Sequence, residues 1–237
     1  MTQCVCPPCH CHESAEKKEV PGEVLDLTNW YVTLPTGEEG HPDTVKNPEI
    51  LKYTDANFKV NETGDGVVFT GPCDGVTTVN SHYPRSELRE TKGKDLAAWS
   101  ISKGSHEMTF TGCVTNLPVY KPEVVIGQIH DAEDDVLMIK CSGSSIVVMF
   151  MGKTVKVADE AYKLGNKYTI KIFAEKGTIA VYYNDMTKPM YTTKAKSSKT
   201  DNYFKVGCYT QSNPTKGKAK PGEYGQTVVF AALVKHT

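Results

Sequence analysis

The stretch KYTIKIFAEKGTIAVYYND, residues 167–185, decides the fold class of this chain. Apolar and polar residues alternate on both sides of its centre, and a period of two residues is that of a half-buried β-strand. The segment AEKGT at 174–178 contains the glycine typical of a tight connection. The stretch therefore predicts two antiparallel strands joined by a hairpin turn.

The same β pattern extends outward in both directions. Other segments rich in β-branched and aromatic residues are GVVFTG (66–71), HEMTFTGCV (106–114), SSIVVMFMG (144–152) and QTVVFAALV (226–234). Clusters of Gly, Asn, Asp and Pro separate them, and only NPEILKYTD (47–55) suggests a short helix. An all-β domain over residues 23–237 is expected, closed as a sandwich or jelly roll of two sheets.

Residues 1–22 differ from the rest of the chain and are predicted to be a tail. Four of the eight cysteines lie in CVCPPCHC at 4–11, with two histidines beside them. Zinc binding, a local disulfide knot and a disordered tail all remain open for this segment. Residues 1–20 lack the basic start and apolar core of a signal peptide. The even number of cysteines nevertheless favours an oxidising compartment and hence secretion.

Composition limits the classes of partner. The 27 basic residues nearly balance the 28 acidic ones, for a net charge of −1, which argues against non-specific nucleic-acid binding. No apolar run is long enough to span a membrane. An anionic partner would therefore have to meet a local basic patch, and the chain is expected to act as a monomer without a cofactor.

The stretch YPRSELRE, residues 83–90, supplies such a patch. Arg85, Glu87 and Arg89 are spaced by two, so a strand would place all three on one face. A solvated ladder of ion pairs is one explanation, and such pairs add little to stability. An anion-binding surface is the other, because the planar guanidinium group suits carboxylates.

Two further stretches have one apolar and one polar face. VVIGQIHD (124–131) places Gln128 and His130 together, opposite Ile129. NYFKVGCYTQS (202–212) has an apolar face, which is predicted to enter the core. Its opposite, polar face consists of Tyr203, Lys205, Gly207, Tyr209 and Gln211. If the three stretches share a sheet, they would form a groove for a polymer that carries carboxylates and hydroxyls. No metal is expected there. Gly207 is expected to let a sugar ring approach beside Tyr209.

The segments RSELRE, QIH and YFKVGCYTQ, in this order, resemble the signature regions of the alginate lyases of polysaccharide lyase family 7. LDLTNWYVTLP (25–35) is similar to that family's first strand, and the resemblance spans about residues 25–234. It implies a jelly roll of two antiparallel sheets whose concave sheet binds the substrate. It also implies β-elimination in alginate, a polymer of 4-linked uronic acids, which leaves a double bond between C4 and C5 of the sugar.

The resemblance also implies roles for individual residues. Arg85, Gln128, His130 and Tyr209 take the catalytic positions. Arg85 and Gln128 would neutralise the substrate carboxylate, since the C5 proton becomes removable only when that charge is offset. His130 would join these donors or act as the base, and Tyr209 would protonate the departing O4 and could also take the C5 proton. By the same resemblance Arg89, Lys205 and Gln211 lie along the groove. The residues themselves add Tyr203 and Glu87 to the substrate-binding set, with Glu87 expected to orient both arginines.

Two other functions have to be weighed against a lyase. A glycoside hydrolase would need paired carboxylates, and DAEDD (131–135) offers Asp131, Glu133 and Asp135. We expect these residues to lie in a solvated loop that faces away from Gln128 and His130. A non-catalytic carbohydrate-binding module is the second alternative, but a pure binder does not need His130 and Tyr209 beside paired donors.

Overall fold

The structure is a computed structural model that describes residues 17–195 and 199–237. Its regular structure is almost entirely β, with two short 3-10 helices at Pro21–Glu23 and Glu49–Lys52. The second helix lies where the sequence predicts one. The strands are β1 Trp30–Glu38, β2 His41–Val45, β3 Phe58–Val60, β4 Val67–Pro72, β5 Arg85–Lys92, β6 Asp95–Leu96, β7 Ser105–Asn116, β8 Glu123–His130, β9 Asp135–Ser142, β10 Ser145–Phe150, β11 Lys153–Asp159, β12 Tyr168–Glu175, β13 Thr178–Tyr183, β14 Tyr191–Lys194, β15 Tyr203–Thr210 and β16 Tyr224–His236.

These strands form two antiparallel sheets. One has nine strands in the order β11-β10-β9-β8-β15-β5-β1-β2, with β6 attached to β5. The other has seven in the order β14-β13-β12-β7-β16-β4-β3. Neighbouring strands such as β5 and β15 are far apart in the sequence, as expected when a jelly roll closes. The predicted two-sheet architecture is confirmed.

The hairpin predicted from the stretch 167–185 is also confirmed. β12 pairs with β13 in antiparallel register, with Glu175 opposite Thr178. The two linking residues, Lys176 and Gly177, both have positive φ angles, 49° and 76°, as a type I′ turn requires. Every second residue of β12 is buried, so the alternation in the sequence corresponds to a core face and an outer face.

The core lies between the sheets and is continuous. It contains Val32, Leu88 and Phe204 from the nine-stranded sheet and Phe69 and Phe110 from the seven-stranded sheet, all fully buried. Burial of such side chains is the main favourable term in folding. The core therefore leaves the other face of the nine-stranded sheet free for polar side chains.

The three polar stretches of the sequence are adjacent strands of that sheet. β15 lies between β8 and β5, and their register fixes which side chains meet. Tyr209 is opposite Arg85 on β5, and Lys205 is opposite Gln128 on β8. Tyr203 is opposite His130 on β8. The sequence placed these residues on one face of each strand, and the strand order brings the three faces together.

Gly207 has a different role from the one expected of it. Its φ angle is 145°, and a Cβ atom there would lie 2.7 Å from the Ser86 carbonyl oxygen and 3.0 Å from the Phe69 ring. These atoms belong to the adjacent strand and the core. The expectation that Gly207 makes room for a sugar ring is therefore wrong, and the glycine is required by the close approach of β15 to β5.

Replacing Gly207 by alanine should lower the free energy of unfolding by at least about 2 kcal/mol, because backbone strain and steric collision act together. Gly93→Ala is the matched control, since Gly93 also has a positive φ of 62° but open space around it. Urea denaturation of both variants separates the two effects. Equal losses would show that the collision contributes nothing.

The four cysteines of the described residues, Cys73, Cys113, Cys141 and Cys208, are buried and free. They give no support for an oxidising compartment. The cysteines and histidines of residues 1–16 lie outside the described residues, so the alternatives for the tail stay predictions. Across residues 17–195 and 199–237, no helix has the length and apolar character needed to cross a membrane.

Candidate active site

A groove of about 290 Å³ lies on the open face of the nine-stranded sheet. Seven of the predicted site residues line it: Arg85, Arg89, Gln128, His130, Tyr203, Lys205 and Tyr209. Two do not. Glu87 is completely buried beneath the groove, and Gln211 is outside the lining, just after the end of β15. Direct contact of Glu87 with substrate is therefore ruled out, whereas the role of Gln211 stays a prediction.

Glu87 holds three groove residues in place. One of its carboxylate oxygens lies 2.6 Å from Lys205 Nζ and 3.3 Å from Arg85 Nη1. The other accepts a hydrogen bond of 2.5 Å from Gln128 Nε2. Burial would raise the pKa of Glu87, but Lys205 and Arg85 outweigh it and keep that pKa below its usual value. Glu87 therefore remains a carboxylate and fixes the direction of its donors.

Arg89 is not among the partners of Glu87, contrary to the sequence-based expectation. Its guanidinium carbon lies 3.7 Å above the Tyr203 ring, and Nη1 donates a 3.4 Å hydrogen bond to the Tyr31 hydroxyl. Tyr203 in turn stacks on His130, with ring centroids 5.4 Å apart. Tyr203 lines the groove and, through these contacts, also holds Arg89 and His130 in place.

His130 has a defined tautomer. Its Nδ1 atom lies 2.5 Å from the Asp131 carbonyl oxygen. A carbonyl oxygen can only accept, so Nδ1 carries the hydrogen, and the Tyr203 hydroxyl 3.1 Å from the same atom does not donate to it. Nε2 of the neutral ring then has a free lone pair. Burial, and next the charge of Lys205, lowers the pKa of His130. The ring is therefore neutral at neutral pH, as a proton acceptor must be.

Tyr209 and Arg85 form a second pair of stacked side chains. The Arg85 guanidinium carbon lies 3.8 Å from the centroid of the Tyr209 ring. The Tyr209 hydroxyl is 3.0 Å from Ser81 Oγ, and Arg85 Nη2 donates a 2.9 Å hydrogen bond to the same oxygen. Tyr209, the predicted proton donor, and Arg85, the predicted ligand of the substrate carboxylate, therefore both contact Ser81 Oγ.

The acidic segment 131–135 differs from its prediction in two respects. Asp131 is buried rather than solvated, and it accepts hydrogen bonds from the backbone N–H groups of Glu133 and Asp134. Glu133 is 81% exposed at its side chain, as expected of a loop. However, Glu133, Asp134 and Asp135 line the groove, because the turn after β8 folds back beside His130. The expectation that this cluster faces away from the site is wrong.

Sequence reasoning missed several groove residues. Ser81 comes from the loop before β5, Tyr31 and Thr33 from β1, and Met138 from β9. Ser81 and Met138 belong to no stretch with the alternating polar and apolar faces that marked the other three strands. Tyr31 and Thr33 do alternate with the buried residues Trp30, Val32 and Leu34, so that signal could have found them. Ser81 lies only four residues before Arg85, but its position depends on the conformation of a loop, which the alternation of side chains does not predict.

The pKa values of two groove bases, Lys205 and His130, are lowered, and these shifts predict how activity depends on pH. Burial, aided by the nearby charge of Arg85, lowers the pKa of Lys205 to about 8. Lys205 is therefore cationic below that pH and neutral above it, so KM for a polyanion should rise as the pH passes about 8. Because the pKa of His130 is depressed, kcat should begin to fall only when the pH drops below the usual histidine value of about 6.5.

Profiles of kcat and KM against pH check both limits. The variant Lys205→Arg keeps its charge at alkaline pH, so its rise in KM should move to higher pH while the acid limb of kcat stays in place. If KM rises at the same pH in this variant as in the parent enzyme, the rise cannot be assigned to deprotonation of Lys205.

Comparisons with known proteins agree on one family. A family model described as alginate lyase matches residues 25–236. The structure of alginate lyase AlgAT5 from polysaccharide lyase family 7 is 41% identical, with a TM-score of 0.86 over 92% of this chain and 99% of that chain. The crystal structure of the alginate lyase from Corynebacterium sp. is 37% identical, with a TM-score of 0.88 over 94% of this chain and 100% of that chain.

No curated protein matches the chain. The family match nevertheless covers all the strands that carry the groove residues, and the two solved relatives are covered almost completely. The resemblance inferred from three short segments is confirmed over the whole β domain. The chain belongs to the alginate lyases of polysaccharide lyase family 7, enzymes that cleave their polysaccharide by β-elimination.

Proposed function

We propose that this chain cleaves alginate in the groove of the nine-stranded sheet, with Arg85, Gln128, His130 and Tyr209 as its catalytic residues. The observation that carries the proposal is the strand order β8-β15-β5, which brings these side chains around one cavity. Arg89 and Lys205 line the same cavity and supply further positive charge for a chain of uronates. The polymer is the partner, and the enzyme acts as a monomer.

Arg85 and Gln128 bind the carboxylate on C5 of the reacting sugar. Both are held by Glu87, so these donors are already aimed before the substrate arrives. Preorganised donors stabilise charge that develops in the transition state more effectively than mobile ones. Neutralising the carboxylate acidifies the C5 proton, which is the first requirement of the elimination.

His130 and Tyr209 move the protons. The free lone pair of His130 Nε2 takes the C5 proton, and the C5–H electron pair forms the C4–C5 double bond. The C4–O4 bond breaks at the other side of the new double bond, and the Tyr209 hydroxyl protonates O4. A phenol suits this second step because it is ordinarily protonated at neutral pH.

Product chemistry tests the proposed function. Poly-mannuronate and poly-guluronate are each incubated with the enzyme, and the ultraviolet absorbance of the unsaturated sugar is followed together with product size. We expect absorbance to rise as the chains shorten. New reducing ends without new absorbance would mean hydrolysis, and binding without any shortening would mean a carbohydrate-binding module.

No metal ion is assigned a role in this mechanism. Among the residues that the structure describes, no group of three His, Cys, Asp or Glu side chains could hold one, and guanidinium and ammonium groups repel cations. Enzyme treated with a chelator should keep most of its activity. A loss that one specific cation restores would contradict this prediction.

An extracellular location is also proposed. A polymer with one carboxylate per sugar does not cross a bilayer, since each charge is costly to bury in lipid. The enzyme would therefore have to meet it outside the cell. Fractionation of a culture of the producing cells, followed by the absorbance assay on medium and cells, checks this location.

A further inference from the structure

The loop between β4 and β5 places one hydroxyl at the centre of the catalytic groove. Ser81 Oγ lies 3.0 Å from the Tyr209 hydroxyl and 2.9 Å from Arg85 Nη2. It also lies 3.2 Å from both the backbone nitrogen and the carbonyl oxygen of Tyr83. Ser81 thus touches two of the four proposed catalytic residues.

The direction of each hydrogen bond follows from the chemistry of the partners. A serine hydroxyl has one hydrogen and two lone pairs. Arg85 Nη2 and the Tyr83 N–H group can only donate, so together they occupy both lone pairs. Ser81 then has no lone pair left for the Tyr209 proton. The one hydrogen of Ser81 then has two acceptors within reach, the Tyr83 carbonyl oxygen at 3.2 Å and the nearer Tyr209 oxygen at 3.0 Å. Ser81 is the donor in the contact with Tyr209, and the phenol oxygen becomes the stronger of the two acceptors once it carries a negative charge.

This direction has a consequence for Tyr209. Its own hydrogen cannot point at Ser81 and is left for a partner in the groove. When Tyr209 gives that proton to O4, the phenolate oxygen carries a negative charge. A donor already in place then forms a charge-assisted hydrogen bond, which is about twice as strong as a neutral one.

We propose that Ser81 is a positioning residue for Tyr209, which it directs by donating a hydrogen bond to the phenol oxygen. The proposal rests on the proposed role of Tyr209 as proton donor. Arg85 takes part indirectly, since its Nη2 group fills a lone pair of Ser81 and so sets the direction in which the serine donates. Binding of the carboxylate and protonation of O4 are thereby linked through one hydroxyl.

Replacing the serine by alanine tests this role. Ser81→Ala should lower kcat by about 10-fold or more, the usual loss for one hydrogen bond to a charged group. KM should stay within about twofold, because the phenolate forms only after binding. Ser81→Thr keeps a hydroxyl and should recover most of the rate. Melting temperatures of both variants check that the loop is intact.

Thr77→Val is the matched control. Thr77 lies in the same loop, and its hydroxyl donates to Glu39 at 2.8 Å, away from the groove. This variant loses one loop hydroxyl without touching Tyr209. It should keep the kcat of the parent enzyme, and a loss equal to that of Ser81→Ala would mean that loop anchoring, and not the hydroxyl of Ser81, sets the rate.

The double variant Ser81→Ala/Tyr209→Phe gives the decisive result. If Ser81 acts through the Tyr209 hydroxyl, its removal should lower kcat no further once that hydroxyl is absent. An equal further loss in this background would overturn the proposal, as would a normal kcat in Ser81→Ala when Tyr209→Phe is impaired. A normal kcat in Tyr209→Phe would instead overturn the proposed function of Tyr209 itself.

Discussion

Tyr209→Phe is expected to lower kcat by roughly 10²-fold or more while leaving the fold intact. The change removes only the hydroxyl that protonates O4. The ring remains, and with it the contact with the Arg85 guanidinium at 3.8 Å. KM should therefore change little. Initial rates of ultraviolet absorbance give kcat, and thermal unfolding shows whether the ring still packs.

Tyr83→Phe is the control for this prediction. The Tyr83 ring lies edge-on to Tyr209 with centroids 6.4 Å apart, and its hydroxyl accepts a hydrogen bond from Lys121 outside the catalytic cavity. Loss of that hydroxyl should leave kcat near the parent value. A normal kcat in Tyr209→Phe would remove Tyr209 from the mechanism and leave the groove without an assigned acid.

Glu87→Gln should have the largest effect on stability. The side chain keeps its shape but loses the charge that two buried cations, Arg85 and Lys205, share. Breaking a buried ion pair on one side costs about 3–5 kcal/mol, because the remaining charge is left without compensation. Activity should fall as well, since the amide keeps only one acceptor oxygen, so its NH2 group faces either Gln128 or the Arg85 and Lys205 cations. Urea denaturation and steady-state kinetics measure the two losses.

A second substitution separates charge from shape at this site. In Glu87→Gln/Lys205→Met the uncompensated ammonium group is gone, so part of the lost stability should return even though two polar groups have been removed. Glu175→Gln is the surface control, because Glu175 pairs with a Lys176 side chain that is 85% exposed. Exposed pairs contribute little. If Glu87→Gln and Glu175→Gln were equally stable, the buried ion pairs of Glu87 would contribute no more to stability than an exposed pair.

The sequence by itself predicted the fold class, and seven of the nine site residues it named line the groove. Alternation within a strand depends only on local backbone geometry, so the faces of β5, β8 and β15 could be assigned without knowing their neighbours. Phe204, Val206 and Cys208 are buried as that alternation requires. The hairpin at Lys176 and Gly177 was predictable for the same reason, because its turn is determined within a few residues.

Only the tertiary structure decided how the faces combine. The pairing of β15 with both β5 and β8 joins segments more than 70 residues apart, and nothing in the local pattern specifies it. Glu87 was expected to orient both arginines, but the register of three strands gives it Arg85, Lys205 and Gln128 instead. Arg89 pairs with the Tyr203 ring.

The sequence also did not predict the paths of the loops or the place where the backbones of two strands come close together. Ser81 reaches Tyr209 through a connection without strand periodicity, and the turn after β8 brings Asp135 to the groove wall. Gly207 lies against Ser86 and Phe69 rather than beside a sugar. The sequence thus determined which side chains each strand presents, because alternation is local. The folded chain decided which of them meet, because strand order, register and loop path depend on contacts between residues far apart in the sequence.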